Sequence, residues 1–106
     1  MNTDLFLAVA EGDVSTVRNV FRWRGAVNAR RDYPVYLHHC RHPVLVRNAS
    51  ALHVAAATGN VEMVRLLLKN GADPLTRSDE DETPLHLAAN TQVTQVLLEA
   101  GASPRA

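Results

Sequence analysis

The sequence predicts an all-α fold, a solenoid of about three stacked helix-turn-helix repeats carrying an extended β-hairpin-like insert. Three observations predict it. Leu52-His53 and Leu85-His86 lie 33 residues apart, each followed by small residues and then an apolar helical pattern. A more diverged copy comes first: Leu5, Ala8, Gly12, Val14 and Val17 match Leu52, Ala55, Gly59, Val61 and Val64 at a common offset of 47. The excess of that offset over 33 leaves about 14 extra residues between the first and second copies. Self-similarity at such a period marks repeat architectures, in which each unit buries its apolar face only against a neighbour.

Each copy divides into two short helices. Ser50 can cap the first helix of the second copy, and Thr83-Pro84 does so in the third, with proline at the first helical position. Ala55, Ala56 and Ala57, and then Ala88 and Ala89, are small enough for neighbouring first helices to approach closely. Gly59-Asn60 breaks the chain. Val61, Val64, Leu67 and Leu68 then recur at helical spacing and give the second helix one apolar face. Gly71, Gly101 and Gly25 stand where those second helices should end in a left-handed residue.

With these residues in view, SALHVAA, TPLHLAA, VRLLLKNGADP and VLLEAGASP resemble ankyrin repeats. The resemblance covers nearly the whole chain except an insert at about 33–48, and it divides a single domain of 1–106 into repeat one (about 3–32), repeat two (about 49–81) and a shortened repeat three (about 82–106). It implies an ankyrin-repeat solenoid whose hairpin tips and inner helices form a concave, partner-binding face. It also implies that His53 and His86 hydrogen-bond backbone across the loops, a structural and not a catalytic role. The first copy is the weakest match, because Leu5-Phe6-Leu7 replaces the motif's Leu-His.

Departures from the pattern are informative. From His53 to Gly71 is 18 residues but from His86 to Gly101 only 15, so the third inner helix should lose most of a turn around Asn90. Thr91, Gln92, Thr94 and Gln95 surround Val93, Val96 and Leu97, a polar dressing that suits a terminal repeat. Val9 in place of Ala56, and Asn19 in place of Leu66, suit the other end. The expectation is a whole, capped protein of three repeats, near the lower limit for independent stability.

The insert falls in DYPVYLHHCRHPVLVRNAS. Pro34 to Leu37 and Val44 to Val46 are β-prone and flank His38-His39-Cys40-Arg41-His42, which predicts a hairpin finger with that polar tip; Pro34 and Pro43 fit an exposed edge. The finger and its base carry Arg30, Arg31, Tyr33, Tyr36, Arg41 and Arg47, residue types common among interface hot spots. Alternatively, Tyr36, Leu37, Val44 and Val46 merely fold the insert back onto its neighbours. Asp79-Glu80-Asp81-Glu82 forms an acidic turn at the next finger, so Asp79 and Glu80 join the candidate partner-binding set beside the Arg-rich finger. Trp23, between Arg22 and Arg24, either packs against the end of the stack or extends an interface.

Charge supports a protein partner. The chain is formally neutral, but residues 1–17 carry −3, residues 18–47 carry +6 and the remainder carries −3. That segregation favours an oriented encounter with a complementary surface. The basic middle is short and mixed, which makes nucleic acid the weaker partner class. His38, His39, Cys40 and His42 are the one cluster resembling zinc ligands, yet structural zinc sites draw on a second pair from a separate segment, and none exists here. Cys40 with those histidines lacks any oxyanion constellation, and no phosphate-binding glycine loop or paired carboxylates appear, so no enzyme activity and no cofactor are expected. The N-terminus lacks the basic and apolar regions of a secretory signal, no run reaches the ~20 apolar residues of a membrane span, and the single cysteine fits a reducing compartment. The reading is a non-catalytic interaction module, monomeric or a subunit of a larger complex, in the cytoplasm or nucleus; the alternatives are zinc binding by the His38-His39-Cys40-His42 loop and nucleic-acid binding through the Arg-rich middle.

Overall fold

The computed structural model describes residues 5–23, 30–35 and 42–101. Its elements are α1 (Leu5–Glu11), α2 (Val14–Trp23), β1 (Arg30–Val35), β2 (Val44–Ser50), α3 (Ala51–Thr58), α4 (Val61–Lys69), α5 (Pro84–Leu87) and α6 (Thr91–Glu99). The helices form the pairs α1/α2, α3/α4 and α5/α6, with α3 packed between α1 and α5 as the middle inner helix. Ala51, Ala55 and Ala56 are wholly buried, so the small residues do bring the inner helices together. Val9, Val17, Leu52, Met63, Val64, Leu67, Val93 and Leu97 fill the space between inner and outer helices.

Local chemistry ends each helix. Asp13 accepts the Thr16 N–H at 3.1 Å at the start of α2, and Asn60 does the same for Met63 at 3.1 Å at the start of α4. Ser50 caps α3 and Gly59 closes it in the left-handed region at φ +77°. A side chain there would be strained, and a Cβ would lie 2.8 Å from Asn90 Nδ2. Gly71 and Gly101, at φ +96° and +106°, follow the outer helices as the sequence predicts; Gly25 lies outside the described residues.

The shortened third repeat shows how three residues are lost. Helix α5 has four residues where α3 has eight. Ala88 leaves helical geometry at ψ 124°, and the chain then runs against the end of α3. The Ala89 N–H donates to Ala56 O at 3.0 Å, and Asn90 Nδ2 donates to Gly59 O at 3.0 Å. Asn90 Oδ1 meanwhile caps α6 through the Val93 N–H at 2.8 Å. One backbone bond and one side-chain bond to the neighbouring repeat thus replace those of the missing turn.

The insert is an antiparallel hairpin, but a longer one than the β-prone runs predict. Its pairing extends down to Arg30↔Ser50 and Arg31↔Ala49, with an irregularity between Arg31 and Tyr33. Asp32 Oδ1 accepts the Asn48 N–H at 2.8 Å there, and Asn48 takes the left-handed φ of +59°. The segments flanking the insert are therefore already paired, and the extra residues lengthen that ribbon. The ribbon packs on α3, with Val35, Val46 and Ala49 buried, while Val44 and Leu45 are 37% and 49% exposed. Of the residues named for folding the insert back, Val46 is buried and Val44 exposed, while Tyr36 and Leu37 lie outside the described residues.

Candidate partner-binding surface

Histidine 53 ties the second repeat to the third. Its Nδ1 accepts the Ser50 N–H at 3.1 Å, which places the proton on Nε2, and Nε2 donates to Glu82 O at 2.7 Å. The ring is fully buried. Burial pushes its pKa below the ordinary value; the Glu82 carbonyl opposes this, and the charges of Arg30 and His86 lower it further. His86 repeats the first half of the arrangement, accepting the Thr83 N–H at 3.0 Å, but it is exposed.

Glu82 O also accepts the Ser78 N–H at 2.8 Å, closing the acidic turn. Within that turn, Ser78 Oγ accepts the Glu80 and Glu82 N–H groups at 3.3 and 3.2 Å, and Arg77 pairs with Asp81 at 3.0 Å. The turn is fastened to the hairpin by the Asp79 N–H on Arg47 O at 2.9 Å. Arg30 adds a second fastening: its guanidinium donates to Asn48 O at 3.3 Å and to Arg77 O. The Arg-bearing hairpin and the acidic turn are one connected edge.

Of the predicted contact residues, Arg31, Arg47, Asp79 and Glu80 are exposed along this edge. Arg30 is exposed as well, yet its guanidinium is occupied by the two carbonyls. Tyr36 and Arg41 lie outside the described residues, as do His38, His39 and Cys40; His42 is described and exposed. The side chain of Trp23 is also outside them.

Arg31 has a role that spacing alone does not reveal. Its guanidinium carbon lies 5.5 Å from the Phe6 ring centroid and 5.8 Å from that of Tyr33, and the two rings are 5.6 Å apart. Two aromatic faces hold the cation in place, which lowers the entropy it would lose on docking. Phe6 occupies the position of the motif histidine, so its departure from the motif supplies half of this clamp. Tyr33 then lines a pocket of about 300 Å³ in the angle between β1 and the inner helices, with Ala10, Pro34, Val35, Val54, Ala57, Thr58 and Ala89. Sequence reasoning missed the pocket. Its signal was present in Ala57 and Ala89, which read as spacers between helices; the same lack of side-chain bulk leaves room at their exposed ends.

The profile of the family described as Ankyrin repeats (3 copies) matches residues 5–106, and the chain belongs to that family. It is 33% identical over 102 residues to ankyrin repeat and SOCS box protein 16 of Homo sapiens, a match covering 93% of this chain and 19% of that protein. Over 54 residues it is 41% identical to ankyrin repeat domain-containing protein 29 of Homo sapiens, covering 51% of this chain and 18% of that one. A third similarity, 41% over 56 residues, is to protein phosphatase 1 regulatory subunit 27 of Homo sapiens, covering 50% and 36% respectively. The chain thus spans about a fifth to a third of the length of these relatives. Ankyrin repeats generally mediate protein–protein interaction. No helix among the described residues is long and apolar enough to cross a membrane.

Proposed function

We propose that this chain is a non-catalytic protein-interaction module, acting as an adaptor or small subunit in the cytoplasm, which docks a partner along its hairpin edge. The observation that carries this reading is the aromatic-clamped Arg31 beside the 300 Å³ pocket lined by Tyr33. A pocket of that size takes one or two side chains, at the lower end of the range used by small-molecule sites. The partner places an apolar side chain in the pocket and a carboxylate against Arg31 or Arg47, while basic groups meet Asp79 and Glu80. Tyr36 and Arg41 belong to the same proposed surface by their place in the insert. The relative with a regulatory-subunit name supports the subunit reading.

The test is affinity purification with mass spectrometry, comparing wild type with Arg31→Glu and Arg47→Glu. Arg30 is set aside because its reversal also disturbs the two internal carbonyl bonds. A partner recovered with wild type should drop at least about tenfold with the variants, while their circular dichroism stays that of wild type. Equal recovery of every partner would remove the hairpin edge as the contact surface.

A further inference from the structure

On the outer side of the stack, α2 and α4 leave a groove of about 440 Å³ lined by Val14, Arg18, Glu62, Arg65, Leu66, Lys69 and Asn70. It shares no lining residue with the Tyr33 pocket. Val14 and Leu66 are only partly buried and form its apolar floor. Among the described lining residues, Arg18, Arg65 and Lys69 are exposed around it and Glu62 brings the one carboxylate. Among the described residues none of these three cations has an ion pair or a side-chain hydrogen bond. Arg65 and Lys69 stand one turn apart on α4, a like-charge spacing that costs helix stability unless an anion lies between them.

We propose that this groove binds an acidic, partly apolar peptide segment of a partner protein. Three cations on two helices surround the floor, so a carboxylate-bearing segment laid along it neutralises the Arg65/Lys69 repulsion and meets Arg18 from the opposite wall. The floor selects a segment with one or two aliphatic side chains on the facing side, the way an amphipathic helix anchors in a groove. Glu62 supplies rejection, because a uniformly anionic polymer must pass it. Single-stranded nucleic acid fits less well, since among the described residues no aromatic side chain lines the groove to stack a base. The i, i+4 basic pair was legible in the sequence, but its placement opposite Arg18 comes from the stacking of two repeats whose α2 and α4 are separated by the insert.

The experiment is selection of a random peptide phage library on the immobilised chain, with the triple variant Arg18→Glu, Arg65→Glu, Lys69→Glu present in solution to remove peptides that bind elsewhere. Surviving peptides should be net acidic and carry Leu, Ile or Phe. Their affinity should fall at least about tenfold for the triple variant and weaken markedly between about 50 and about 500 mM NaCl. Arg31→Glu should leave it within about twofold, which separates this groove from the hairpin edge. If circular dichroism shows the triple variant unfolded, Arg18→Glu and Lys69→Glu are used singly, each with an expected loss of about three- to fivefold. The proposal is overturned if no peptide survives the counter-selection, if survivors show no acidic excess, or if an oligothymidylate binds the groove more tightly than they do.

Discussion

Replacing His53 by leucine tests how the repeats are joined, with His86→Leu as the internal control. The two histidines occupy the same motif position 33 residues apart. Leucine approximates the volume of the ring but satisfies none of its partners. At position 53 it leaves the Ser50 N–H and the Glu82 carbonyl without their bonds of 3.1 and 2.7 Å, and Ser50 is itself buried. The orphaned Ser50 N–H costs about 1–3 kcal/mol and the lost bond to Glu82 O, which keeps the Ser78 N–H, about 1 kcal/mol more, so His53→Leu should destabilise by about 2–4 kcal/mol. At position 86 the ring is exposed and bonds no carbonyl of another repeat; the Thr83 N–H and Oγ1 lose their partner, and Thr83 is buried as Ser50 is, so the cost should be about 1–2 kcal/mol. Urea unfolding followed by circular dichroism reads both. With an m-value of about 2 kcal/mol/M, a loss of about 3 kcal/mol lowers the midpoint by about 1.5 M, whereas the control moves it by about 1 M or less. Equal midpoints for the two variants would refute the view that the His53 bond to Glu82 carries the junction between repeats two and three.

Two further outcomes follow from the same junction. Gly59→Ala should cost about 2–3 kcal/mol, combining the left-handed penalty with loss of the Asn90 bond that the new methyl group displaces; Gly101→Ala meets nothing within 4 Å and should cost only the conformational part, so equal thermal shifts would count against the Gly59–Asn90 contact. Stability should also fall on acidification. Because the folded pKa of His53 is held below its ordinary value, the unfolded chain takes up the proton first. The contribution is fully present above about pH 6.5 and is lost as pH falls below it, by at most about 1.4 kcal/mol per pH unit, until the folded state protonates too. Urea midpoints between about pH 7.5 and pH 5 should show this slope in wild type and not in His53→Leu; an unchanged slope in the variant would assign it to other groups.

Much of the architecture was legible in the residues. The 33-residue spacing, the alanine runs and the glycines after α4 and α6 are local signals repeated in phase, and repetition makes them hard to mistake. The shortened third repeat was legible as a length difference, since three missing residues must come from one turn. The hairpin was legible as a hairpin, but its lower boundary was not. Arg30 and Arg31 are neither apolar nor β-branched, and their pairing with Ser50 and Ala49 comes from the fold bringing the two ends of the ribbon together at the base of α3.

The candidate surfaces divide in the same way. Composition pointed to Arg31, Tyr33, Arg47, Asp79 and Glu80, and the structure sets them on one edge joined by the Arg47–Asp79 and Arg30–Arg77 bonds. It could not distinguish Arg30, tied to two carbonyls, from Arg31, held between two rings, because both are arginines in adjacent positions. Nor could it place Phe6 beside Tyr33, or Arg18 across from Arg65 and Lys69. Helical period and capping residues act within a few positions of one another, so the sequence by itself determined the repeats, their helices and where each one stops. Which groups a given charged side chain meets depends on residues dozens of positions away, and only the stacking of the repeats decided that.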